Sequence, residues 1–211
     1  MEQNELRRIV EKVVKNMGSN DKTFPIEKSN KHVHLSQEHV EALFGKGATL
    51  TFKRNLSLPG VFVCEERITM VTDKGVFRNI AVLGPVREKT QVELCATDAY
   101  QLGIECPVNI SGDLSNAGDI YLLGPEGAVF AKGSCIIPRA HIHMSPAEAK
   151  AFDVTDGETV CVDIDGERSL TLRDVMVRVK DGMRATVHID MDEANALGYQ
   201  DGTMGRLRKI K

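Results

Sequence analysis

Two histidines separated by one residue occur twice in the chain, as His32-Val33-His34 and, 109 residues further on, as His141-Ile142-His143. On a β-strand, side chains at i and i+2 leave the same face, about 6–7 Å apart along the chain. Two imidazoles so placed can lean onto one ion at about 2.0–2.1 Å, whereas on a helix the same spacing splays them. A second pair of segments matches without gaps: Thr90 to Gly103 runs alongside Ala185 to Gly198 and sets Glu93 opposite His188. The expectation is two metal sites of three ligands each, one from His32, His34 and Glu93, the other from His141, His143 and His188. Three protein ligands leave a coordination position open, the arrangement of catalytic rather than structural zinc. Nitrogen and oxygen donors favour zinc and also admit iron, cobalt, nickel or manganese. The duplication weighs against ordinary half-buried histidines. The sixth histidine, His39, takes no role.

The elements around these residues follow from local pattern. Ser36 before Gln37–Phe44 and Ser145 before Pro146–Phe152 are helix N-caps. Pro146 sits at the tolerated first helical position, and Ser145 with Glu148 forms a capping box. Each copy therefore reads as a strand carrying His-x-His that runs into a short helix. Elsewhere strands are short and turns tight. Val76–Leu83 follows Asp73-Lys74-Gly75, Asp165-Gly166 joins Val160–Ile164 to Arg168–Leu172, and Asp181-Gly182 joins Val175–Lys180 to Met183–Ile189 as further hairpins. That spacing points to barrels or sandwiches rather than alternating β-α units. At the N-terminus, Leu6, Ile9, Val10, Val13, Val14 and Met17 make one apolar stripe of a helix over residues 1–17, followed by the linker Gly18-Ser19-Asn20-Asp21. Such a helix packs on its own domain or docks in another protein's groove.

Composition narrows the function classes. With 42% apolar and 27% charged residues over 211 positions, the chain is an ordinary globular one. No apolar run is long enough for a membrane helix, and the acidic, polar start is not a secretory signal. A net charge of -3, no Trp and 5% aromatics argue against nucleic acid as a partner. Cysteines 64, 95, 106, 135 and 161 are odd in number and include no C-x-x-C, which points to a reducing, cytoplasmic setting. No glycine-rich dinucleotide or P-loop motif is present.

Together, Ser29-Asn30-Lys31-His32-Val33-His34-Leu35-Ser36, Gly84-Pro85-Val86-Arg87 running into Thr90-Gln91-Val92-Glu93, Ser111-Gly112-Asp113, His141-Ile142-His143-Met144 and His188-Ile189-Asp190 with Asp192 to Ala196 resemble the phosphate propanoyltransferase family called PduL, over about residues 24–200. The resemblance implies a mainly β fold of two small β-barrels with short helices. It places residues 22–30 with 139–208 in one barrel domain and 31–138 in the other, after an N-terminal helix and linker at 1–21. It implies two zinc ions per chain on the six ligands above and Arg87 as the catalytic, phosphate-binding arginine. The implied reaction is transfer between a short-chain acyl-CoA, propanoyl-CoA or acetyl-CoA, and phosphate, giving acyl phosphate and free coenzyme A reversibly. A homodimer is implied too. Residues 1–17 would dock on a bacterial microcompartment shell protein, placing the enzyme in the compartment lumen.

The chain departs from the family pattern in places. Lys31 and Ala140 stand where an arginine commonly precedes each His-x-His, Arg139 lies one place earlier, Asn109 replaces an arginine before Ser111-Gly112-Asp113, and Glu27-Lys28 replaces a more neutral pair. Cys95, two places after Glu93, faces the metal or begins a helix. The rival readings are a metal-dependent phosphoester or thioester hydrolase and a non-catalytic metal-loaded module.

Overall fold

The computed structural model describes residues 23–210. The helix and linker read at residues 1–21 lie outside the described residues. The strands are β1 (Thr23–Lys28), β2 (His32–His34), β3 (Phe52–Asn55), β4 (Phe62–Val71), β5 (Val76–Gly84), β6 (Gln91–Glu93), β7 (Val108–Asn109), β8 (Gly118–Leu123), β9 (Ala128–Pro138), β10 (His141–Met144), β11 (Thr159–Ile164), β12 (Leu170–Val179), β13 (Thr186–Ile189) and β14 (Met204–Lys209). Four short helices interrupt them: α1 (Gln37–Phe44), α2 (Ala96–Leu102), α3 (Pro146–Phe152) and α4 (Met191–Leu197).

The strands close two barrels on one plan. In the first, β4, β5, β2, β6, β9 and β8 follow one another around the ring, and β8 returns to β4. In the second the order is β11, β12, β10, β13, β1 and β14, and β14 returns to β11. Pair by pair the two rings agree in direction; both histidine strands, for instance, run parallel to the long strand on one side and antiparallel to the short strand on the other. β3 and β7 are additions at the edges of the first ring. The chain crosses between rings twice. β1 precedes the first histidine strand yet pairs with β13 and β14, and β9 precedes the second yet pairs with β6 and β8.

Alternation explains which side chains reach the core. Val33 and Ile142, the middle residues of the two His-x-His segments, are fully buried and belong to separate apolar cores. Val33 packs with Cys64, Ile68, Val82, Val92 and Ile120, and Ile142 with Ile26, Val160, Val177 and Val187. The flanking histidines are thereby turned to the opposite face. The helices start where the caps predict. The Ser36 side chain accepts from the His39 amide, and Ser145 and Glu148 form the reciprocal capping box with Pro146 in the first turn. A second capping box joins Asp190 and Glu193.

Two expectations are corrected. Residues 168–172 and 175–180 are not separate strands: β12 runs from Leu170 to Val179 and bends within itself at Asp174, whose φ of 58° is left-handed. The equivalent bend in β5 is at Asn79, φ 59°. Asn and Asp tolerate this region because their short polar side chains bond locally. Nor does Asp181-Gly182 make a hairpin, because β12 and β13 are not neighbours. The histidine strand β10 lies between them, paired to both. The turn is one strand too wide, and β10 fills the gap with backbone hydrogen bonds on each edge.

Candidate active site

The barrel register brings each third residue to its histidine pair. His32 stands opposite Glu93 across β2 and β6, and His141 opposite His188 across β10 and β13. Donor atoms of His32, His34 and Glu93 lie within 4.8 Å of one another, with all three residues buried. His32 Nε2 is 3.4 Å from Glu93 Oε2. In the other set the ring centroids of His141, His143 and His188 are 4.8–5.4 Å apart. Both sets line one cleft of about 870 Å³, as does Arg87.

The backbone fixes which nitrogen of each leading histidine is free. Nδ1 of His32 bonds the Asn30 carbonyl at 2.8 Å, and Nδ1 of His141 bonds the Arg139 carbonyl at 2.9 Å. A carbonyl only accepts, so Nδ1 carries the proton and Nε2 presents its lone pair to the cleft. Burial holds His34, His141, His143 and His188 below the ordinary imidazole range. It lowers His34 to about 3, helped by the charges of His32 and Arg87, and His188 to about 3, helped by His141 and His143. His143 falls to about 4 by burial and then by His141, Arg178 and Lys180, and His141 is lowered by burial and Arg178. For Glu93 burial acts the other way, but His32, His34, the Ser111 hydroxyl and Arg87 outweigh it and bring the carboxyl to about 2. The result is an ionised carboxylate at Glu93 and neutral rings at His34, His141, His143 and His188, the protonation state a metal ion requires of its ligands.

Two observations test whether a metal fits. Nε2 of His143 and Nε2 of His188 are buried with no hydrogen-bond partner, a costly state for polar atoms unless something binds them. In the first set, donor convergence and the held carboxylate meet the same need. The first set fits a metal by the convergence of its donor atoms, and the second offers two buried nitrogens that a metal would satisfy.

A network around Glu93 holds it in position. The Ser111 hydroxyl donates to Glu93 Oε1 at 2.7 Å, Gln91 Nε2 donates to the same oxygen at 2.6 Å and to Ser111 Oγ at 2.9 Å, and the Gly112 amide donates to Gln91 Oε1 at 2.8 Å. Asn109, at one departure from the family pattern, ties this turn by donating to the carbonyls of Asp113 and Ser115 at 3.1 and 2.9 Å. Arg87 is fixed through its backbone, which donates to the Leu35 carbonyl at 2.9 Å. Its Nη2 donates to His34 Nε2 at 2.9 Å, and Nη1 lies 3.5 Å from Ser111 Oγ.

The remaining expected residues fall as follows. Cys95 is the N-cap of α2, with Asp98 and Asp192 as its charged neighbours, and it stands outside the ligand cluster. His39 Nδ1 is 2.8 Å from Thr90 Oγ1. Lys31 pairs with Asp98 at 2.8 Å, and Arg139 Nε donates to the Asp174 carbonyl at 3.1 Å. Glu27 places a carboxylate oxygen 3.8 Å from His188 Nε2 and accepts from Ser57. The places of Ser111 and Arg178 in the cleft wall, and of Gln91 beside Glu93, escape a reading of the chain alone. Each depends on register between segments far apart in sequence, although the repeat offset that pairs Glu93 with His188 also pairs Leu83 with Arg178.

The family model described as Phosphate propanoyltransferase matches residues 25–200. A protein of Leptotrichia buccalis named phosphate propanoyltransferase is 45% identical over 212 residues, covering 99% of this chain and 100% of its own length. One of Clostridioides difficile with the same name is 42% identical over 98% of this chain and 99% of its own, and one of Listeria monocytogenes is 46% identical over 87% and 86%.

Proposed function

The chain belongs to the phosphate propanoyltransferase family and is an acyltransferase; from that premise we propose that it moves a short acyl group, propanoyl or acetyl, between coenzyme A and inorganic phosphate, reversibly, at a two-zinc site. The observation that carries the reading is one cleft lined by both histidine pairs, by Glu93 and His188 on equivalent strands, and by Arg87.

His32, His34 and Glu93 would hold one zinc, and His141, His143 and His188 the other. Zinc bound there supplies Lewis-acid stabilisation of a thiolate and of phosphate oxygens. The rest is the work of the chain's own residues. The Arg87 guanidinium offers a planar pair of donors that matches a phosphate edge. Ser111 and Gln91 keep the Glu93 carboxylate oriented, and the Nδ1 bonds to backbone carbonyls keep His32 and His141 in the tautomer whose Nε2 faces the cleft. Lys28, Lys31, Arg54, Arg139 and Lys180 make the cleft wall basic, suited to the phosphates of coenzyme A, while Leu56, Leu58, Val61 and Val63 give it an apolar side for the pantetheine arm and acyl group. Phosphate held beside the thioester attacks as if intramolecularly. A phosphate oxygen forms the new C–O bond, the C–S bond breaks, and its electron pair leaves on sulfur.

Among the described residues no helix is long and apolar enough to cross a membrane. The family resemblance supports a homodimer working in a microcompartment lumen, with residues 1–17 docked on a shell protein. Fusion of residues 1–20 to a fluorescent protein tests the docking: foci in shell-forming cells support it, and diffuse signal refutes it.

The enzymatic test supplies propanoyl-CoA or acetyl-CoA and follows free thiol with and without phosphate. Transfer requires phosphate and gives an acyl phosphate trapped as its hydroxamate. Thiol released without phosphate favours a hydrolase, and a binding module releases no thiol. Arg87→Ala is expected to raise the phosphate KM about tenfold or more; unchanged phosphate kinetics refute its role.

A further inference from the structure

The two barrels share one plan, so a residue present in one half of the cleft and missing from the other marks a difference in what the halves bind. β5 and β12 occupy the same ring position, each parallel to its histidine strand and each bent at a left-handed Asx residue. Four places beyond that bend, Leu83 in β5 corresponds to Arg178 in β12. Arg178 is opposite His143 in register, half-buried, and lines the cleft together with Arg87. Among the described residues its guanidinium has no hydrogen bond and no ion pair. Asp156, an acid in the same cleft wall, accepts instead from the Val179 amide at 2.7 Å. Its neighbour in register is the His143 imidazole, and the Arg87 guanidinium lines the same cleft. Two guanidinia lining one cleft, one of them without a hydrogen-bond partner among the described residues, suit a multiply charged oxyanion with oxygens for both.

We propose that Arg178 is the second arginine of the phosphate site, so that the attacking phosphate, and the phosphoryl end of acyl phosphate in reverse, is held between Arg87 of one barrel and Arg178 of the other. This rests on the phosphate acyl-transfer reading above. Parallel N–H donors from each guanidinium take separate phosphate oxygens and leave one free to attack the thioester carbon. Arg178 donates hydrogen bonds and neither gains nor loses a proton.

Steady-state rates are measured on the purified holoenzyme and on Arg178→Gln, Arg178→Lys and Arg178→Leu, the last copying the equivalent residue of the other barrel. Phosphate and acyl-CoA are varied in turn, and phosphate binding without acyl-CoA is followed by 31P line broadening. Arg178→Gln and Arg178→Leu are expected to raise the phosphate KM about tenfold or more while the acyl-CoA KM stays within about twofold, and Arg178→Lys to recover part of the loss. The 31P titration should weaken in the same order. A phosphate KM within about twofold of the parent in folded variants overturns the proposal. So does a rise confined to the acyl-CoA KM, which assigns Arg178 to coenzyme A. Absence of phosphate-dependent thiol release in the parent enzyme overturns the acyl-transfer reading instead, and the 31P titration then decides Arg178 alone. If the Gln and Leu variants do not fold, the Lys variant decides, since a shorter point charge must still weaken a site built for a fork.

Discussion

Replacing Ser111 by alanine isolates what the network around Glu93 contributes. The hydroxyl donates to Glu93 Oε1 at 2.7 Å, and Gln91 Nε2 donates to the same oxygen at 2.6 Å. A hydrogen bond to a buried carboxylate contributes about 1.5–3 kcal/mol, and about 1.4 kcal/mol is a factor of ten in binding. Loss of a partner that orients a metal ligand weakens metal affinity by about 10–100-fold. Ser111→Ala belongs near the lower bound, because Gln91 still grips the oxygen and the carboxylate loses one of two restraints. Zinc affinity should therefore fall about tenfold, and removing Gln91 as well should bring the loss towards about a hundredfold. Competition against a chromogenic chelator near neutral pH reads the affinity, and thermal unfolding checks that the half-buried substitution leaves the fold intact. Zinc affinity within about twofold of the parent, in folded protein, would refute the claim that this turn positions Glu93.

Other outcomes follow from the packing and the caps. Ile142→Ala empties a fully buried place in the core of the second barrel and should cost about 2–5 kcal/mol in urea unfolding; a loss below about 1 kcal/mol would contradict the role of the middle residue as the anchor of its histidine strand. Glu193 is raised from 4.5 to about 7 by burial and then by Asp190 and Asp192, against the pull of the Asp190 amide. The folded state therefore holds a proton the unfolded chain releases, so this contribution is complete below about pH 4.5 and is lost as pH rises through about 7. Glu193→Gln keeps an acceptor for that amide without the charge. It should be more stable than the parent by about 1–3 kcal/mol near pH 8, with the difference closing towards about pH 4; equal stability at the higher pH would refute the assignment.

What the chain discloses unaided is what repeats at short range. His-x-His twice, each followed by a capped helix, and the gapless match of Glu93 to His188 suffice to foresee that Glu93 stands beside the first histidine pair and His188 beside the second, because strand alternation converts spacing into facing. Residues joined by long-range register stay hidden. Ser111 reaches Glu93 from a turn that by itself reads as ordinary. Arg178 becomes a wall of the cleft only once β12 lies beside β10, and no local pattern records that pairing. The mistaken hairpin has the same origin: Asp181-Gly182 carries the signal of a tight turn, and nothing nearby announces that a third strand enters between its arms. Asp174 lies in the gap between two segments read as separate strands, and its left-handed backbone bends one strand there instead of ending it.

The exchange of β1 and β9 between rings has a consequence for how the molecule comes into being. The seam that closes the second barrel joins Thr23, Phe24 and Pro25 to Arg206, Gly205 and Met204. A polypeptide emerging from the ribosome must keep that first strand unpaired until nearly the whole sequence has been synthesised, and contacts so remote slow folding. The first ring, whose six strands all lie between His32 and Pro138, is complete much sooner. Birth of the protein is thus ordered, with one cup of the cleft standing ready while the other waits for its last segment.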